Sequence, residues 1–200
     1  MFIGVYNRSV ILTYLGLAFS VIGMYFAFAK NMDFSIICLI LAGVCDLFDG
    51  VVARRCKRTD MEKEFGVQID SLVDVISFGV FPIIIFINLE LTSIYSIFVL
   101  ILYVICAVSR LAYFNTHANK EAPVKFYTGL PVTTAALIFP LFYLLHDLIP
   151  NLLFGRIYTT LMLFVALLFI LNIKLPKASF KICICFAFLA IVVIGVIIMF

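Results

Sequence analysis

The sequence predicts an all-α protein, a polytopic transmembrane helical bundle with six core spans and a seventh beside them. Three observations lead there. First, the 200 residues are 66% apolar with a mean hydropathy of +1.25 and only 12% charged. Soluble domains carry about 25% charge, so a surface made from these residues cannot face water. Second, the apolar residues fall in runs close to the roughly 20 that a helix needs to cross a hydrocarbon core about 30 Å thick. Third, no run alternates with period two, the pattern of a membrane barrel. The same composition excludes a disordered chain, a disulfide scaffold and a nucleic-acid-binding domain, each of which needs many more polar groups.

Seven spans follow in order. Val10–Ala29 is too long for a secretory signal, and no small-residue cleavage site follows it. Phe34–Ala53 closes on two acids and a basic run, and Asp70–Leu89 opens on two more acids. Ser93–Phe114 carries Arg110 near its end, and Leu130–Leu145 starts beside Gly129 and Pro131, which shape its beginning. Leu152–Ile173 and Ile182–Met199 are divided by turn signals around Lys174, Pro176 and Lys177. The whole of 1–200 reads as a single integral membrane domain. Of the six cysteines, Cys38, Cys45, Cys106, Cys183 and Cys185 sit in apolar runs and read as packing residues, while Cys56 lies in a polar stretch. The spacing of Cys183 and Cys185 points their thiols apart on a helix, which disfavours a redox pair or a metal clip.

Basic residues set the expected orientation. Arg8 precedes the first span, and Arg54, Arg55, Lys57, Arg58 and Lys63 lie between the second and third. Arg110, Lys120 and Lys125 mark the connection from the fourth to the fifth, and Lys174, Lys177 and Lys181 that from the sixth to the seventh. Placing these 12 on the cytoplasmic side leaves only Lys30 and Arg156 outside. The amino terminus is then cytoplasmic, and the polar segment Arg54–Ile69 puts the chemistry at the cytoplasmic membrane surface.

Four carboxylates stand at the ends of the spans that flank this segment. Asp46 and Asp49 are three residues apart, and Asp70 and Asp74 are four apart. Each pair therefore shares a helix face. The two helices should run antiparallel as neighbours, with their acidic ends at one depth. Four facing carboxylates in a low dielectric cannot all stay ionised without compensation. Two divalent cations would neutralise them, and an oxygen-only donor set favours Mg²⁺ or Mn²⁺ over Zn²⁺. The plainer alternative is acids solvated by headgroup water and paired with nearby Arg and Lys. Gly50 and Gly66 stand where a ligand could approach the backbone closely, Ala53 keeps the same region small, and either glycine could equally be a packing residue or a cap. Arg54 is suited to pairing with a phosphate, or to anchoring at the interface, the better reading for Arg55, Lys57 and Arg58.

Taken together, Asp46-Leu-Phe-Asp49-Gly50-Val-Val-Ala53-Arg54 and Gly66-Val-Gln-Ile-Asp70-Ser-Leu-Val-Asp74 resemble the signature of the CDP-alcohol phosphotransferases. That signature reads D-x-x-D-G-x-x-A-R, then G-x-x-x-D-x-x-x-D, and all eight fixed positions are met. A second stretch is similar to the phosphatidylserine synthase branch: Ser109-Arg110-Leu-Ala-Tyr113-Phe114-Asn115, then Phe126-Tyr127-Thr128-Gly129-Leu130-Pro131. The resemblance implies a catalytic core at about 34–136 and a homodimer of six-span subunits. It implies CDP-diacylglycerol and L-serine as substrates, with phosphatidylserine and CMP as products. Asp46, Asp49, Asp70 and Asp74 would ligate two Mg²⁺ or Mn²⁺ ions, and Asp74 would act as general base. Gly50, Ala53 and Gly66 would make room for cytidine, and Arg54 would steady phosphate.

The acceptor question is electrostatic, since serine's carboxylate calls for an Arg or Lys. Arg110, Asn115, Lys125 and Tyr127 are the candidates for that pocket, with Thr128 beside them, although position alone would equally fit Arg110 as an interfacial anchor. Lys120 and Lys125 also suit anionic lipid headgroups. No Ser, Cys or His stands as a covalent nucleophile beside the acids, so direct displacement is expected, and neither His117 nor His146 is given a role. The rival acceptors are glycerol 3-phosphate, inositol and inositol phosphate. The rival in another class is a small cation transporter using the four acids, but most spans offer it no polar path.

Overall fold

The computed structural model describes residues 4, 7, 10–89, 93–118, 126–176 and 180–199. Among these, the helices Ile11–Phe28, Met32–Arg55, Asp60–Asn88, Ile94–Thr116 and Asn151–Ile170 are long and apolar enough to cross a bilayer. The chain is thus a polytopic helical membrane protein.

Helix α1 (Ile11–Phe28) buries Thr13, Gly16, Ser20, Gly23 and Ala27, a stripe of mostly small residues spaced by threes and fours. In lipid, where apolar burial gives helices little reason to associate, small residues let backbones approach and gain dispersion contacts. Gly16 lies against Cys45 and Ala42 of α2 (Met32–Arg55), and a methyl group on Gly23 would collide with Cys38 and the Phe81 ring. This close packing brings Thr13 to the depth of the acidic end of α2.

Only residues 56–59 separate α2 from α3 (Asp60–Asp74). The helix expected to begin at Asp70 begins ten residues earlier, so most of the polar segment is helical. The cause is a capping box. The Thr59 hydroxyl accepts from the Glu62 N–H at 3.3 Å, while the Glu62 carboxylate accepts from the Thr59 N–H at 2.7 Å. After Asp74 the rod widens into a π-helical segment, Val75–Val80, before continuing as α4 (Phe81–Asn88). Two bonds from neighbouring helices hold the wide turn. The Tyr103 hydroxyl donates to the Phe78 carbonyl at 2.7 Å, and Ser20 Oγ donates to Ser77 Oγ at 2.7 Å. Buried polar backbone needs such partners where lipid offers none.

Helix α5 (Ile94–Ala118) packs on α7 (Asn151–Ile170), and α2 packs on α6 (Ala135–Tyr143) and α8 (Phe180–Met199). The core between them is aromatic. Phe139 stacks on Tyr158 at 5.4 Å, and Tyr103 meets Phe139 edge-on at 5.8 Å. The expected fifth span, Leu130–Leu145, is regular α-helix over nine residues only, with short 3₁₀ turns at Val132–Thr134 and His146–Leu148 on either side. Pro131 holds extended backbone before it, and Pro140 inside it has no N–H to return to Ala136.

One short element stands beside the helices. β1 (Phe126–Thr128) and β2 (Lys174–Pro176) form a small antiparallel ribbon. The sixth span, expected to reach Ile173, stops at Ile170 so that the chain can turn into this ribbon. Gly129 is the hinge of the arrangement. Its N–H donates to the Ile173 carbonyl at 2.9 Å, its φ is +77°, and any side chain there would run into the Phe169 carbonyl. Glycine alone meets both demands without strain.

Candidate functional site

The acidic faces of α2 and α3 do meet. One carboxylate oxygen from each of Asp46, Asp49 and Asp70 lies within 4.8 Å of the others. Asp74 completes the group, on the wall of the same cavity as the other three. All four line one narrow cavity of about 10 Å³, closed by Thr13, Gly16, Ser77 and Phe78. That space alone takes roughly one water-sized occupant, and Asp49 and Asp70 also face a wider cavity beside it. Two ionised carboxylates at 4.8 Å repel by roughly 3.5 kcal/mol at an effective dielectric of about 20, and more where they are closer. Asp49 and Asp74 are buried, and Asp46 and Asp70 are half-buried.

The donor set fits a hard divalent cation. Every donor is a carboxylate oxygen, the choice of Mg²⁺ and Mn²⁺ rather than of softer metals. Asp70 Oδ1 is also buried with no hydrogen-bond partner among the described residues. An orphaned buried carboxylate oxygen is costly unless something with positive charge meets it.

Next to the acids is a wider cavity of about 220 Å³ between the ends of α2 and α3. Gly50, Ala53, Arg54 and Gly66, the four residues read as CDP-lipid-binding, all line it, together with Asp49 and Asp70. Gly50 and Gly66 open their backbones onto this space. A methyl group at Gly50 would come within 3.7 Å of Arg54 Nη1, and one at Gly66 within 3.4 Å of Arg58 Nη1.

Two further polar residues line this cavity that the sequence reading did not assign to it. Thr13 reaches in from α1 and donates from Oγ1 to Asp49 Oδ2 at 3.0 Å. Nothing marks a single threonine in an apolar run. Arg58 was read as an interfacial anchor, yet it too lines the cavity.

Arg110 of α5 is half-buried and close enough to act electrostatically on both Asp46 and Asp74. Its guanidinium lies 5.3 Å from the Phe114 ring centroid. Arg110 lines another cavity, of about 310 Å³, with Ser109, Tyr113, Phe169, Leu171 and Asn172. Asp49 and Asp70 border the glycine-lined cavity, and Asp46 and Asp74 lie toward Arg110.

Asn115 is engaged elsewhere. Its Nδ2 donates to Ser71 Oγ at 2.8 Å, and the Ser71 hydroxyl returns to Oδ1 at 3.1 Å, fastening α5 to α3 one residue beyond Asp70. Tyr127 and Thr128 belong to β1. Lys120 and Lys125 lie outside the described residues. Of the two histidines, His146 stacks on Tyr143 at 5.5 Å and pairs with Asp147, and it lines none of these cavities.

Comparison with known proteins gives a consistent picture. The profile of the CDP-alcohol phosphatidyltransferase family matches residues 6–199. The chain is 39% identical over 115 residues to archaetidylserine synthase of Methanothermobacter thermautotrophicus, covering 57% of this chain and 48% of that protein. It is 35% identical over 124 residues to CDP-diacylglycerol–serine O-phosphatidyltransferase of Saccharomyces cerevisiae, covering 56% and 44%. The protein of the same name from Helicobacter pylori is 32% identical over 158 residues, covering 75% and 64%. The chain thus spans between 44% and 64% of the length of these curated relatives. A match that runs the length of the bundle leaves one assignment: the chain belongs to the CDP-alcohol phosphatidyltransferase family.

Proposed function

We propose that the protein transfers the phosphatidyl group of CDP-diacylglycerol to the hydroxyl of L-serine, giving phosphatidylserine and CMP. The observation that carries this reading is the acid cluster, bordered through Asp49 and Asp70 by a glycine-lined cavity and with Arg110 within electrostatic reach of Asp46 and Asp74. A nucleotide-linked donor and a small acceptor carrying a carboxylate would meet at it. The names of the relatives, two serine phosphatidyltransferases and an archaetidylserine synthase, support serine as the acceptor.

Asp46, Asp49, Asp70 and Asp74 would hold two Mg²⁺ or Mn²⁺ ions, which when bound supply the positive charge that stabilises attacking and leaving oxygens in phosphoryl transfer. Gly50, Ala53 and Gly66 leave space for the cytidine side of the donor, and Arg54 pairs with phosphate. Arg110 binds the serine carboxylate through its planar fork. Asp74, on the Arg110 side, takes the proton of the serine hydroxyl. The serine oxygen then bonds to the lipid-side phosphorus as the bond from that phosphorus to the CMP oxygen breaks. Direct displacement suits the surroundings, because the one Ser, Cys or His lining the acid cavity is Ser77, which is occupied by Ser20.

The distribution of basic residues supports a cytoplasmic site and a cytoplasmic amino terminus. The five long helices, with the shorter α6 and α8, support six core spans and a seventh. Family membership supports a homodimer. The deciding experiment is CMP release by purified protein given CDP-diacylglycerol, with and without L-serine and with and without Mn²⁺. Release that needs both serine and Mn²⁺ is expected. Faster release with glycerol 3-phosphate than with serine would overturn the acceptor, and cation flux in proteoliposomes lacking the donor lipid would favour a transporter.

A further inference from the structure

We propose that Arg58 is a second phosphate-gripping residue of the nucleotide cavity, alongside Arg54, and that it determines how tightly the CDP portion of the donor is held. This rests on the transferase reading above and adds a residue that the family signature does not contain.

Four basic residues cluster where α2 gives way to α3: Arg54, Arg55, Lys57 and Arg58. A positive-inside anchor has no reason to be sheltered, and Arg54, Arg55 and Lys57 are indeed exposed. Arg58 is the half-buried one. Of the four, only Arg54 and Arg58 line the cavity of about 220 Å³. Their guanidiniums stand over glycines of different helices. Arg54 Nη1 lies 3.7 Å from the point where Gly50 of α2 would carry a methyl group, and Arg58 Nη1 lies 3.4 Å from the same point on Gly66 of α3. Two forked cations thus flank a space bordered on its inner side by the carboxylates of Asp49 and Asp70.

The backbone gives this placement a cause. Arg58 directly precedes Thr59, whose capping box fixes the first turn of α3. Only residues 56–59 join the two helices, so the chain at Arg58 cannot wander. Glu62 lies within electrostatic reach of Arg58, but its carboxylate is already committed to the Thr59 N–H at 2.7 Å. The chemistry that answers a pair of guanidiniums across a narrow opening is a phosphate or diphosphate, which accepts the parallel bonds their planar donors offer. A lone phosphate group and a nucleoside diphosphate share that chemistry, and the test separates them.

Full-length protein in detergent with Mn²⁺ is titrated with CDP and with inorganic phosphate by calorimetry, and KM and kcat are measured for CDP-diacylglycerol. The variants are Arg58→Gln, Arg58→Ala and Arg58→Lys, with Lys57→Ala as an exposed control. Loss of a charge-assisted bond predicts CDP binding weaker by about tenfold or more in Arg58→Gln and Arg58→Ala. Their KM for CDP-diacylglycerol should rise more than kcat falls, the mark of lost ground-state binding. Arg58→Lys should keep part of the affinity, and Lys57→Ala should match wild type. Inorganic phosphate binding as tightly as CDP would overturn the nucleotide assignment. CDP affinity in Arg58→Gln within twofold of wild type would overturn the role of Arg58, even if Arg58→Ala failed to fold. Wild-type protein that neither binds CDP nor releases CMP would instead sink the transferase reading itself.

Discussion

Replacing Thr13 by valine removes one hydroxyl and keeps the shape of the side chain. Thr13 is only 6% exposed, and its hydroxyl donates to Asp49 Oδ2 at 3.0 Å. A hydrogen bond to a charged group contributes about 1.5–3 kcal/mol, and a partner that orients a metal-binding carboxylate typically changes metal affinity by 10–100-fold. The two figures agree, since about 1.4 kcal/mol is a factor of ten. Thr13→Val should therefore raise the Mn²⁺ concentration for half-saturation by roughly tenfold or more. The readouts are Mn²⁺ binding followed by electron paramagnetic resonance in the presence of CDP, and CMP release as a function of Mn²⁺. Activity should recover at high Mn²⁺, because the carboxylate itself remains, and Thr13→Ser should stay close to wild type. Mn²⁺ binding by Thr13→Val within twofold of wild type would refute the claim that α1 orients the acid cluster.

Asp74→Asn should lower CMP release by about 10²–10⁴-fold, the range of a lost general base, while CDP still binds; turnover near wild type would remove Asp74 from that role. Gly50→Ala and Gly66→Ala should fold normally, since the new methyl groups meet only flexible arginine ends at 3.7 and 3.4 Å, yet weaken CDP binding by intruding on the cavity. Gly43→Ala should do the reverse, lowering the thermal midpoint because its methyl group would meet the Ala136 Cβ at 2.5 Å. Arg110→Lys should raise KM for serine by about tenfold with a smaller effect on KM for the donor lipid, because an ammonium lacks the guanidinium fork. An unchanged KM for serine would move the carboxylate site elsewhere.

The carboxylates were legible because acids at spacings of three and four have no bland reason to stand at the ends of apolar helices. Gly50, Ala53, Arg54 and Gly66 were legible through a family signature, and they line one cavity. The early start of α3 was hidden for a physical reason. Hydropathy reports where lipid begins, and a polar helical extension reaching into water looks like a loop to it. The Thr59-x-x-Glu62 capping pattern was the signal for that extension. Thr13 and Arg58 carried no such mark, because their roles depend on packing between helices and not on neighbours in the chain. The ribbon was equally silent, since each three-residue strand exists only through a partner far along the sequence.

All the negatively charged donors come from a single tight helical hairpin, α2 and α3, joined by residues 56–59. The wall beyond Arg110 is assembled from α5 and from the chain leaving α7. Under the proposed function, leaving-group handling and acceptor choice would reside in separate stretches of the gene. Mutation can redraw the second while the first is inherited as a unit, so that one bond-breaking engine can be refitted to a series of different alcohols.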